Sequence, residues 1–247
     1  MRKHVLITAM VFCLALAGCE GHRNGPVVAR ESGNTETTNE RLHTAAKQAI
    51  ADGNADEALI FYEELYRKDS RDPETALNYA YVLRKTGNAQ RAVLVLAPFV
   101  NAEHKKQDDK KAKPVDPLLL LEHAASTLEM GRFEQADSLL QDMLEAPNTV
   151  DLDPQILNLI GVSMDARGMH TVAEEYYREA LDAWQGQPIT VMNNLALNLT
   201  HQGYFDEALN LLRKAYVMAP DREIIAANID LVTDLHDSIQ AKPKSLE

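Results

Sequence analysis

His22, His43, His104, His123, His170, His201 and His236 are the side chains best suited to ligate a metal or move a proton, but no two are spaced as a close ligand pair. Glu122 and His123 are adjacent, so on a helix they point away from each other. His170 and His201 flank turns, where a solvent-facing ring is the ordinary outcome. Gly161-Val162-Ser163-Met164-Asp165 approaches a nucleophile elbow but ends in Asp and lies in a helical pattern, with no strand-to-helix turn to expose the serine. No phosphate-cradling glycine loop and no HExxH zinc pair occurs. Cys13 and Cys19 are the only cysteines, so the rest of the chain has no thiolate for a disulfide, a zinc site or a nucleophile. These residues predict no catalytic group, no metal and no cofactor. What remains is amide chemistry. Asn78, Asn158, Asn193 and Asn194 each carry donors and an acceptor, and Asn158 and Asn193 recur at an interval of 35 residues. Such amides can grip the backbone of an extended peptide, or they can tie neighbouring helices together. With Tyr81, Arg84, Val162 and Leu197 they would line a peptide-binding groove of apolar pockets with one positive head.

One residue has covalent chemistry of a different kind. Met1-Arg2-Lys3-His4 is a basic lead, and Val5 to Ala17 is an apolar run broken only by Thr8. At about 1.5 Å per residue that run cannot cross a hydrocarbon layer of ~30 Å, so it reads as an export signal rather than an anchor helix. Leu16-Ala17-Gly18-Cys19 resembles the lipobox of bacterial lipoproteins. The resemblance implies a signal peptide over 1–18, cleavage before Cys19, and a lipid on the Cys19 sulfur. More than one acyl chain is needed there, because burying a single chain, at about 0.8 kcal/mol per CH₂, holds a protein only marginally. Glu20 follows, where the family's inner-membrane retention signal usually has Asp, and this favours the periplasmic face of the outer membrane. Residues 19–38, rich in Gly, Ser, Thr, Asn and Glu, are expected to be a flexible tether.

The chain has 247 residues, 25 Lys plus Arg against 37 Asp plus Glu, and a net charge of −12. That balance excludes nucleic acid as partner, since phosphate contacts need clustered basic charge. With 45% hydrophobic and only 6% aromatic residues, the composition suits a helical protein and excludes collagen-like and disulfide-rich classes.

Any chemistry must be positioned by the elements around it, and these repeat. Gly53, Gly87, Gly131, Gly168 and Gly203 are each followed five residues later by an alanine: Ala58, Ala92, Ala136, Ala173 and Ala208. Before Gly203, Met192, Leu195, Ala196 and Leu199 share one helix face; after it, Phe205, Ala208, Leu212 and Ala215 do. Each unit is predicted to be helix, tight turn, helix. The glycine ends the first helix, and the alanine lets the second approach closely. The pattern resembles the tetratricopeptide repeat, with Ala215-Tyr216-Val217-Met218-Ala219-Pro220 closing the last unit. The expected fold is an all-α superhelix of about five hairpins, two over 39–106 and three over 117–222, with a capping helix over 223–240 whose stripe is Ile225, Ile229, Val232 and Leu235. The insertion, over 107–116, follows Lys105 and Lys106 and contains Lys110, Lys111 and Lys113; it reads as a solvated loop, a contact for an acidic partner, or a hinge.

Lipobox, tether, repeats and cap together resemble the TadD-type lipoproteins of tight-adherence (Flp) pili. The residues that carry this are Asn193-Asn194-Leu195-Ala196-Leu197, Gly203-Tyr204-Phe205-Asp206-Glu207-Ala208 and Ala226-Ala227-Asn228-Ile229-Asp230-Leu231. The resemblance implies a non-enzymatic scaffold that binds a secretin or another pilus or secretion component and aids secretin assembly. The alternative is an envelope adaptor that recruits cell-wall hydrolases or synthases.

Overall fold

A computed structural model describes residues 37–100 and 115–241. Cys19 with its lipobox, most of the tether and the lysines of the insertion lie outside the described residues. Among the described residues eleven α-helices follow in order: α1 Thr38–Ala51, α2 Ala55–Lys68, α3 Pro73–Lys85, α4 Ala89–Val100, α5 Pro117–Glu129, α6 Phe133–Glu145, α7 Asp153–Ala166, α8 His170–Ala183, α9 Ile189–Gln202, α10 Phe205–Met218 and α11 Glu223–Gln240. No strand occurs among the described residues. The protein is an all-α solenoid of five hairpins, closed by α11.

Local chemistry explains the starts and stops. Thr37 accepts from the Glu40 amide while the Glu40 carboxylate accepts from the Thr37 amide, so α1 begins on a capping box. Asp72 and Asp116 cap α3 and α5, each followed by a proline whose missing N–H costs nothing in the first turn. All five first helices end alike. Gly53, Gly87, Gly131, Gly168 and Gly203 have φ between +71° and +86°. In each, the next amide donates back to the carbonyl five residues earlier, as Asn54 does to Ala49 (2.8 Å) and Tyr204 to Leu199 (2.8 Å). A residue with a Cβ is strained at that φ, which is why glycine recurs there.

The alanine five residues after each glycine is buried in the core of its hairpin. Packing is tightest in the fourth hairpin, where Gly161 of α7 lies directly against the ring of Tyr177 on α8. First helices also pack on the next first helix (α3 on α5, α5 on α7, α7 on α9, α9 on α11), contacts that successive second helices do not make to that extent. A stack drawn together along one wall and splayed along the other curves toward the first, so the first helices form the inner wall.

The apolar core is in two parts. Ala46 through Leu119 form one and Leu121 through Val232 the other, so the boundary falls inside α5. Among the described residues no helix is long and apolar enough to cross a membrane.

Candidate functional site

The side chains expected on the groove come from α3, α7 and α9, three of the inner-wall helices, and apart from Arg84 the structure sorts them into three groups. Tyr81 and Leu197 are half-buried on the wall. Asn78 is also half-buried, but its amide turns back to donate to the Glu74 carbonyl at 3.0 Å. Asn158, Asn193, Asn194 and Val162 are buried.

The buried amides form a ladder from one repeat to the next. Asn194 Nδ2 donates to Asn158 Oδ1 at 3.0 Å, and Asn228 Nδ2 donates to Asn193 Oδ1 at 2.7 Å. An amide removed from water must be paired, and here the partner is another amide one repeat on. Of the two roles that the residue types allowed, the ladder is the tie between neighbouring helices. Asn228, on α11, belongs to it although the groove pattern does not include it; its distance of 35 from Asn193 is the signal that marks it in the sequence.

Arg84 corrects an expectation outright. It is 1% exposed and offers no positive head to a groove. Its Nε and Nη2 donate to Glu122 Oε1 (2.6 Å) and Oε2 (2.9 Å), and its Nη1 donates to Glu129 Oε1 at 3.0 Å. Ser126 Oγ adds a bond to Glu122 Oε1. Glu122 is itself 1% exposed, so a bidentate ion pair is sealed between α3 and α5, at the boundary of the two apolar cores. Burial pushes the Glu129 carboxyl up, and the Arg84 charge only partly offsets it.

A second polar cluster joins the fourth and fifth repeats. His170 Nδ1 lies 2.6 Å from Asp165 Oδ1, and Asn198 Nδ2 donates to the same oxygen and to the His170 carbonyl, both at 2.8 Å. The rings of His170 and His201 stack at 4.9 Å with an interplanar angle of 3°. Both histidines flank turns as expected, yet each turn hands its ring to the other. Burial holds His123 below the ordinary value of 6.5; desolvation by the packed ring face, and then the neighbouring His170, does the same to His201, whose residue is otherwise exposed. A histidine depressed in the fold contributes stability that is present above pH 6.5 and is lost as pH falls toward and through the lowered value. The urea midpoint is therefore expected to drop below neutrality, and His123→Leu combined with His201→Asn should flatten that drop; an unchanged pH profile in the double variant would remove the histidines as its cause.

Charge divides the wall. α5, α7, α9 and α11 contain no Lys or Arg, whereas α1 has Arg41 and Lys47 and α3 has Arg84 and Lys85. No group of three His, Cys, Asp or Glu among the described residues is placed to hold a metal ion.

Comparison with known proteins agrees with this geometry. Two tetratricopeptide-repeat family models match, over residues 121–188 and 189–219. Among solved structures, a thermophilic tetratricopeptide-repeat protein of Thermus thermophilus is 19% identical with a TM-score of 0.65, covering 79% of this chain and 99% of that one. The Rap conjugation gene regulator of plasmid pLS20, in complex with the Phr* peptide, is 16% identical with a TM-score of 0.66, covering 87% of this chain and 66% of that one. NprR in complex with its cognate peptide NprX is 17% identical with a TM-score of 0.60, covering 84% of this chain and 63% of that one. No curated protein matches. Residues 121–219 carry tetratricopeptide repeats, and the stacked hairpins are a scaffold suited to protein–protein interaction.

Proposed function

We propose that this protein is a non-enzymatic, lipid-tethered scaffold at the periplasmic face of the outer membrane, gripping a segment of a pilus or secretion component and aiding secretin assembly. The inner wall of first helices carries this reading. Two similar folds hold peptides, and here the wall offers half-buried Leu197 on α9, tied to α7 and α11 by amide pairs, and half-buried Tyr81 on α3, tied to α5 by the Arg84–Glu122 pair. Cross-helix pairing of those asparagines and of Arg84 braces the wall, so a bound segment is ordered with less ordering of the scaffold. The lipobox at Cys19 and the polar tether behind it support anchoring, and the Flp-pilus assignment rests on the motif resemblance of the last repeat and α11.

The test is a photoreactive amino acid at position 81 or 197 of the full chain in the native envelope. Crosslinks to a pilin, secretin or other pilus component are expected from both sites, and Cys19→Ser should move the protein from the membrane pellet to the soluble fraction. Crosslinks that go only to cell-wall hydrolases or synthases, or a Cys19→Ser protein that stays in the pellet, would overturn the corresponding half of the reading.

A further inference from the structure

α11 is built as a first helix rather than as an inert cover. Asn228 of α11 bonds Asn193 of α9 just as Asn194 of α9 bonds Asn158 of α7, so a shift of 34 residues maps α9 onto α11. The map carries Thr190, Asn193, Leu197 and His201 onto Ile224, Ala227, Leu231 and Leu235. In α9 the first two of these are buried, and α11 packs on that helix with Asn228 bonded to Asn193. On α11 the corresponding Ile224 is 39% exposed and Ala227 is exposed; further along, Leu231 is 44% exposed and Leu235 half-buried.

The open face differs from its predecessors in chemistry. Where Asn158 and Asn193 offer an amide to the next helix, α11 has Ala227, so whatever covers it makes an apolar contact there. Ile224, Ala227, Leu231 and Leu235 recur at helical spacing as a stripe. Glu223, Asp230 and Asp234 run along one margin of it, all exposed and in no ion pair among the described residues. α11 contains no Lys or Arg of its own. A second copy pairing through this face would set carboxylates against carboxylates, whereas a helix with lysines or arginines beside its aliphatic side chains would complement both stripe and margin.

We propose that α11 presents the outer face of a first helix, and that an amphipathic, cationic helix of the partner packs on Ile224, Ala227 and Leu231, beside half-buried Leu235, with its basic residues against Glu223, Asp230 and Asp234. This rests on the scaffold reading above and names the chemistry of the segment it holds.

The probe is a short labelled peptide with leucines at helical spacing and lysines beside them, titrated by fluorescence anisotropy into the full chain; its control carries glutamates in place of the lysines. The lysine peptide is expected to bind at least about tenfold more tightly than the control, with an advantage that shrinks as salt rises. Leu231→Ser should weaken it about tenfold, since an exposed apolar anchor is lost. Asp230→Asn with Asp234→Asn should erase the difference between the two peptides. Leu231→Ala serves in the same assay if the serine variant unfolds. Equal binding of both peptides, an unchanged affinity of the Leu231 variants, or a concentration-dependent dimer that Leu231→Ser dissociates would overturn the proposal. If crosslinks from position 197 to a pilus component persist undiminished in Leu231→Ser, the scaffold reading stands and this one falls.

Discussion

Glu122→Ala is expected to destabilise the protein by about 3–5 kcal/mol, the cost of removing the bidentate partner of a buried charge. Arg84 is 1% exposed, and two of its nitrogens donate to Glu122. Glu129 remains after the substitution, but it meets the guanidinium through a single bond from Nη1, so it cannot take over the bidentate role. Replacing both partners at once has a different sign. Arg84→Met with Glu122→Leu removes two desolvated charges and joins the two apolar cores, so the double variant should lie within about 1–2 kcal/mol of the parent or above it. Urea unfolding of the two single variants and the double variant gives the coupling directly. A loss below about 1 kcal/mol for Glu122→Ala would mean that water reaches the guanidinium and the seam is not sealed. The same seam bears on motion. An ion pair has no loose fit, because small displacements of a bidentate geometry forfeit both bonds, so it holds one register between α3 and α5 where the core changes hands.

The second large effect is steric. A Cβ on Gly161 would lie 2.6 Å from Tyr177 Cε1 and 2.8 Å from its Cδ1. Tyr177 is fully buried, with Asp165 beside its hydroxyl, and it has nowhere to turn. Gly161→Ala is therefore expected to cost about 1–3 kcal/mol and Gly161→Val more, against a helix-propensity gain from alanine of only about 1 kcal/mol. The cause can be isolated. In a Tyr177→Leu background, itself destabilised by the volume it loses, adding Gly161→Ala should cost little or even stabilise, because the shorter side chain leaves the room that the methyl group needs. Thermal or urea melts of the four proteins close the cycle. Equal penalties in both backgrounds would place the strain in the α7 backbone instead of at the ring.

Position 161 also shows how far a sequence pattern reads. The other four hairpins have alanine at the equivalent place, Ala46, Ala80, Ala124 and Ala196, so the periodicity marks a small residue there. Only the distance between α7 and α8 says that alanine is already too large in this one. The amides behave the same way. Their 35-residue interval is visible in the sequence, and so is their ability either to grip a peptide or to tie helices, but which of the two applies depends on whether another amide comes within 3.0 Å. Arg84 escapes the sequence pattern for a related reason. The helix face on which it lies does point inward, yet its burial there depends on Glu122, 38 residues away across the insertion, and no local rule supplies that partner.

The chain alone determined where the hairpins begin and end. A glycine forced to positive φ, an alanine at the crossing and an aspartate before a proline each act within one turn of backbone, so their consequences are written at the positions where they occur. The assignment of roles to the inward-facing polar residues, and the opening of the last apolar stripe, came only with the stacked structure. Those depend on contacts between residues more than 30 apart, whose distance is set by the superhelix as a whole.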